Sequence, residues 1–145
     1  MQRFDPAAFR WEGVAPRAYK DDPGSARGMA WRGVSRHTLV RAPFELRYFE
    51  IAPGGFSSLE KHAHVQVVVA ARGHGRALIG DDVIDLAPMD VVETPPWAPH
   101  RWMTVGDGPF GFLCTVQADR DKPQPLDDAE WEALLGDRRT APFAF

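Results

Sequence analysis

The chain has 145 residues, 44% of them hydrophobic and 26% charged, with a formal net charge of −3, which suits a single domain with its own core and no block of Lys/Arg for sequence-independent nucleic-acid binding. One cysteine, Cys114, excludes an intramolecular disulfide framework and any cysteine-rich zinc or iron–sulfur site. No apolar run approaches the ~20 residues of a membrane span, and the N-terminus MQRFDPAAFR has no apolar signal core, so a cytoplasmic protein with no membrane partner is expected.

With 13 glycines and 13 prolines spread along it, the sequence reads as many short strands. Residues 1–27 are expected to form an irregular N-terminal arm, with a turn at Asp21-Asp22-Pro23-Gly24. The barrel core is expected over about 28–117. It opens with one or two extended segments between Gly28 and Ala42. Phe44–Ala52 follows as a strand, with Phe44, Leu46 and Tyr48 on one face and Phe49 and Ile51 on the other. Pro53-Gly54-Gly55 is expected to turn. His62–Ala71 carries the densest strand signal, and Arg72-Gly73-His74-Gly75 turns it into Arg76–Ile79. Further strands are expected at Val83–Leu86, Val91–Thr94, His100–Val105 and Phe110–Val116, with a rigid Pro95-Pro96-Trp97-Ala98-Pro99 loop before His100. The extension 118–145 changes period: Leu126–Gly136 has acids first, apolar residues at 131, 134 and 135, and a closing glycine, which is one short amphipathic helix. The fold class is therefore all-β, a sandwich or barrel of eight to ten strands with a terminal helix, in one domain spanning 1–145.

The chemistry gathers on four histidines between 62 and 100. On a strand, His62, His64 and Gln66 share a face at steps of about 6.5 to 7 Å. Two imidazoles in that register can converge on one metal ion, and the Gln66 amide oxygen adds a harder donor. A His-X-His pair on a strand is often mere surface decoration. Here the strand is otherwise apolar, and burying three polar side chains without a partner is costly. His100, at the head of a later strand, is a fourth candidate that a barrel could return to the same interior.

Two stretches resemble the paired motifs of the cupin family: Gly55, His62-Ala63-His64 and Gly73-His74-Gly75, then Leu86-Ala87-Pro88-Met89-Asp90 with Pro96-Trp97-Ala98-Pro99-His100. The resemblance covers about residues 44–117. It implies a double-stranded β-helix, or jelly roll, with one divalent metal inside and His62, His64 and His100 as its three histidine ligands. The first motif is about two residues short, and the chain departs from the motifs at three positions. Gln66 stands where an acidic ligand is usual, Thr104 where Asn is common, and Met89 where the Pro-Gly-Asp turn has Gly. The Gln66 substitution makes the chain similar to the small metal-dependent aromatic polyketide cyclases of the resistomycin type, whose site has three histidines and a glutamine.

That resemblance implies a ligand set of His62, His64, Gln66 and His100 around zinc, with iron, nickel or manganese as alternatives. Neutral ligands leave the ion its full charge, which raises its Lewis acidity and acidifies a bound water. The implied reaction is aldol-type cyclisation and aromatisation of a poly-β-ketone chain in antibiotic biosynthesis. Metal-bound water is the expected base, His74 a further candidate, and an acyl carrier protein a candidate for delivering the substrate. Strand parity places Tyr48, Val68, Trp102, Thr104, Phe112 and Cys114 on the pocket wall, with ordinary core packing as the other reading of each. Glu60 and Lys61 are expected at the solvated rim, Trp97 over the barrel mouth and Arg101 outside the barrel. The alternatives to a cyclase are an iron(II)-dependent dioxygenase and a non-catalytic small-molecule-binding cupin. Exposed sheet edges need cover, so a homodimer is expected.

Overall fold

A computed structural model describes residues 1–21 and 25–145. The turn expected at Asp21-Asp22-Pro23-Gly24 lies largely outside the described residues. The strands are β1 Phe4–Asp5, β2 Arg10–Trp11, β3 Arg17–Ala18, β4 Arg32–Arg41, β5 Phe44–Phe56, β6 Gln66–Arg72, β7 His74–Ile79, β8 Asp82–Leu86, β9 Val91–Thr94, β10 His100–Val105 and β11 Phe110–Gln117. One helix, α1, spans Asp128–Gly136 and is followed by a 3-10 turn at Ala141–Phe143. The fold is all-β: a curled antiparallel sheet of jelly-roll type whose hydrogen-bonded order runs β8-β7-β10-β5-β11-β6-β9, with β4 on β5 and β3 on β4.

Three features depart from expectation. β5 continues through Pro53-Gly54-Gly55 to Phe56 instead of turning, because Gly54 at φ 67° bends the strand without ending it. That continuation lets Phe56 pair with Met103 of β10, so one strand joins both halves of the sheet. β6 begins at Gln66, so His62 and His64 lie in the connection ahead of it and are not placed by strand alternation. The arm is partly ordered: β1 and β2 form a hairpin, and β3 adds to β4.

Two apolar clusters hold the molecule. The inner one lies in the concave face of the sheet and includes Val34, Phe49, Ile51, Val68, Trp102, Phe110, Phe112 and Cys114. The second lies on the outside, where Leu59 and Leu78 meet Leu126, Trp131, Leu134 and Phe143 of the C-terminal extension. Helix α1 starts at a capping box: Asp127 accepts from the Glu130 N–H, and the Glu130 carboxylate accepts from the Asp127 N–H. Lys61 bonds Glu130 at 2.6 Å and so ties the helix to the chain just before the histidines, instead of sitting free at a rim.

Arg101 does point away from His100, but it is fully buried. Its guanidinium donates to the carbonyls of Ser57 (3.0 Å), Phe143 (2.6 Å) and Gly28 (2.9 Å), and its face packs on Phe145. It is the polar pin between barrel and extension. Replacement by Met keeps the volume but takes the donor from the buried Ser57 and Phe143 carbonyls, while Gly28 keeps the Leu59 N–H, so Arg101→Met is expected to cost about 3 kcal/mol in urea unfolding. Met89 sits at φ 78°, a left-handed position at the turn where the cupin motif carries glycine, and its side chain is 78% exposed. Met89→Gly is expected to raise stability by about 1 kcal/mol in the same measurement, since strain is relieved and almost no packing is lost.

Candidate metal centre

A cavity of about 450 Å³ opens on the concave side of the sheet. Its wall includes His62, His64, Gln66 and His100, brought there by three routes. Gln66 is the first residue of β6 and is buried. His100 opens β10, where its backbone exchanges hydrogen bonds with Glu60 (3.2 and 2.9 Å) and so draws the 57–64 segment alongside. The His62 carbonyl accepts from the Trp97 N–H at 2.7 Å, which fixes the segment against the proline-rich loop.

Each imidazole is held by its Nδ1. His62 Nδ1 lies 2.8 Å from the His64 carbonyl, and His100 Nδ1 lies 3.0 Å from the Ala98 carbonyl. His64 Nδ1 lies 2.7 Å from Asp121 Oδ1. Asp121 also accepts from the Ala63 and His64 backbone N–H groups at 2.8 and 3.1 Å. All three Nδ1 partners are oxygen acceptors, so Nδ1 carries the proton and Nε2 keeps its lone pair. This outer bracing is the arrangement that orients histidines toward a metal.

The rings lie close together. The centroids of His62 and His64 are 3.6 Å apart at an interplanar angle of 10°, and those of His62 and His100 are 4.6 Å apart. Stacked this way they do not form a ready cage: among the described residues no group of three or more His, Cys, Asp or Glu side chains stands in metal-holding geometry. The donor chemistry nevertheless fits a cation. His62 Nε2, an acceptor in this tautomer, lies 3.2 Å from Gln66 Oε1. Two lone-pair atoms facing each other need a shared cation or a rotated amide between them. Zinc, manganese, iron or nickel would meet three neutral imidazoles and one amide oxygen here.

Burial keeps two of the rings, His64 and His100, neutral. Burial lowers the pKa of His100 to about 4, against the pull of nearby Glu60. Burial also lowers that of His64, although Asp121 opposes it. Asp121 loses solvation, which raises its pKa, yet the Ala63 N–H, the His64 ring and the His64 N–H together bring it to about 2. For folding, His100 drops from an ordinary 6.5 to about 4. Its buried neutral form therefore contributes fully above pH 6.5, and stability is lost as pH falls from 6.5 through 4. A loss of up to about 3 kcal/mol from this group is expected in denaturant titrations of metal-free protein at pH 7 and pH 4, and His100→Gln should flatten that dependence.

The other sequence-derived pocket residues divide. Trp102 and Phe112 line the cavity. Cys114 is buried behind the wall, 3.2 Å from the Arg47 guanidinium. Val68 packs in the inner core without reaching the cavity. Tyr48 lies on the opposite face of β5, under Phe9 and Trp11 of the arm, with its hydroxyl donating to Glu50 at 2.9 Å. Thr104 donates to the Ile51 and Ala52 carbonyls, a structural bond between β10 and β5. His74 is exposed at the start of β7 and does not line the cavity that holds His62, His64 and His100. Trp97 is 49% exposed and does not line the cavity. Glu60, expected at a solvated rim, is buried on the cavity wall, where Lys20 pairs with it and the Ser58 hydroxyl donates at 2.5 Å.

Residues that sequence reasoning passed over also line the cavity: Tyr19, Arg36, Arg47 and Arg120. Arg47 was legible, because it shares the inward face of β5 with Phe49 and Ile51. Tyr19 and Arg120 come from segments with no periodic signal.

A curled antiparallel sheet with braced histidines from two separated motifs defines the class, and comparison with known proteins agrees. The cupin domain model matches residues 47–116. The chain belongs to the cupin superfamily. It is 42% identical over 138 residues to the 1-methylthio-D-xylulose 5-phosphate methylsulfurylase of Rhodospirillum rubrum, covering 93% of this chain and 86% of that protein. A cupin-2 domain structure from Rhodospirillum rubrum superposes with a TM-score of 0.83 at 39% identity, covering 97% of this chain and 94% of that one. A cupin 2 conserved barrel protein from Rhodopseudomonas palustris gives 0.86 at 38%, with 99% and 97% covered. The polyketide cyclase of Streptomyces resistomycificus gives 0.68 at 16% identity, covering 99% of this chain and 98% of that one, which is a likeness of fold.

Proposed function

We propose that this chain is a metal-dependent enzyme that removes the methylthio group from a small phosphorylated ketose, the kind of reaction named for its Rhodospirillum rubrum relative. The observation that carries this reading is one cavity wall that gathers His62, His64, Gln66 and His100, with the chain's single thiol, Cys114, directly behind it. Identity of 42% along nearly the whole chain supports it. The cyclase reading draws on a likeness of 16% and on the same donor set. A free sugar phosphate also needs no carrier protein for delivery.

His62, His64, His100 and the Gln66 oxygen would hold a divalent ion, which when bound supplies Lewis acidity to a ketone or enolate oxygen. The chain's own residues do the rest. The carbonyls of His64 and Ala98, together with Asp121, keep the three Nδ1 protons in place. Trp102 and Phe112 exclude water from the inner wall. Burial pushes the Cys114 thiol up, while Arg47 and the Gln66 amide pull it back toward the thiolate. In the proposed step the Cys114 thiolate attacks the methylthio sulfur. An S–S bond forms and the sugar C–S bond breaks. Its electron pair enters the enolate of the ketone, which then takes a proton. A small-molecule thiolate attacks the methylthio sulfur of this disulfide, carries the methylthio group away as a mixed disulfide and restores the Cys114 thiolate.

Purified protein loaded with manganese or zinc, given a 1-methylthio ketose phosphate and a thiol, is expected to release the methylthio group. Cys114→Ser should lower that rate by at least about a hundredfold while elemental analysis finds the metal retained. His62→Ala should lose the metal. If the loaded protein leaves the methylthio sugar intact and instead cyclises a poly-β-ketone thioester, the cyclase reading replaces this one.

A further inference from the structure

We propose that Arg36 and Arg47, with Arg120 at their side, form a dedicated anion subsite that takes the phosphate monoester of the substrate; this deepens the reading above and rests on it for the identity of the substrate. Arg47 is 8% exposed and lines the cavity. Its Nε has no hydrogen-bond partner, its guanidinium meets the Cys114 sulfur at 3.2 Å, and it lies 5.1 Å from the centroid of the Phe49 ring. Among the described residues no carboxylate pairs with it. Arg36, on the neighbouring strand β4 and opposite Phe49 in register, also lines the cavity, and its buried Nε is likewise without a partner. Arg120 is anchored, donating to the Gln117 carbonyl at 3.0 Å and pairing with Glu45 at 2.9 Å.

Among the described residues the charge balance at this end of the cavity is positive. Glu45, shared between Arg120 and Arg41, does not line the cavity, and Asp21 is the acid that lines it here. Lys20, further along the wall, is already paired with Glu60. A guanidinium buried without an anion costs several kcal/mol. Two neighbouring guanidiniums on one cavity wall, each with an Nε–H that no described group accepts, are therefore a site built for an incoming anion. Phosphate fits the fork geometry of a guanidinium, which offers parallel N–H donors to two oxygens at once. The donor set at the histidines and this cationic wall then give one cavity two chemically distinct poles, suited to a small molecule with an enolisable ketone and a phosphate.

The test is calorimetric titration of the full chain with inorganic phosphate, alongside thermal melts in phosphate-free buffer. Wild type is expected to bind phosphate, and Arg47→Met and Arg36→Gln are each expected to weaken it at least tenfold. Arg47→Met should melt at or above the wild-type temperature in phosphate-free buffer, since an unpaired buried charge has been replaced by an apolar chain of similar length; a merely structural arginine would give the opposite sign. His62→Ala should still bind phosphate. The proposal is overturned if wild type does not bind phosphate, if binding survives in both arginine variants, or if it is lost in His62→Ala alone. Turnover separates the two readings. Equal KM for the phosphorylated and dephosphorylated methylthio ketose sinks the subsite and leaves the activity standing. Phosphate binding lost in the arginine variants, with no turnover of either sugar, upholds the subsite and sinks the activity.

Discussion

The site depends on where three protons are kept. His62, His64 and His100 each have Nδ1 against an oxygen acceptor, two backbone carbonyls and one carboxylate, so each has only Nε2 left to offer. Burial lowers the pKa values of His64 and His100, so those two rings stay neutral. Neutral imidazoles with a fixed tautomer are what a divalent ion requires, and protonated ones would repel it. Asp121 matters most here, because one carboxylate braces the His64 ring and also caps two backbone N–H groups of the His62–His64 segment. It does from outside the barrel what strand pairing does not do for this stretch.

Around that core the fold is arranged to tolerate polar groups in its interior. The inner cluster is aromatic and aliphatic, with Phe112 packed against both Phe49 and Trp102, yet Arg47 shares a strand face with Phe49. Low polarity beside the donors strengthens each electrostatic contact they make and raises the cost of leaving any of them without one. The second cluster serves a different purpose. Arg101 and Trp131 fasten the extension to the back of β10, and Lys61 fastens α1 to the segment that carries His62. The C-terminal helix is thus a support for the histidine loop, not an appendage.

Much of this was legible along the chain. β9 and β10 fall on the expected bounds because prolines and glycines bracket them. The capping box of α1 is written in Asp127 and Glu130. His62, His64, Gln66 and His100 stood out as a set because polar side chains interrupted apolar runs, and the structure brings them to one cavity. The particular chemistry was less legible. The neutral ligand set pointed to a cyclase, whereas the relative sharing 42% of its residues is named for a sulfur-transferring reaction on a sugar phosphate. A ligand set constrains the electronic character of a metal and says little about what the rest of the cavity will accept.

The sequence by itself determined the class of fold, the strand and helix signals, and which residue types could meet a metal, because those follow from local periodicity, turn chemistry and donor type. Tertiary structure decided which side of β5 faces the cavity, so Arg47 lines it while Tyr48 lies under the arm. It also decided that Arg101 is buried beneath the extension, that Asp121 reaches His64 across 57 residues of sequence, and that Arg36 stands beside Arg47. Those outcomes depend on how distant segments pack against one another, and side-chain alternation within a single strand carries no information about which distant segment will cover each face.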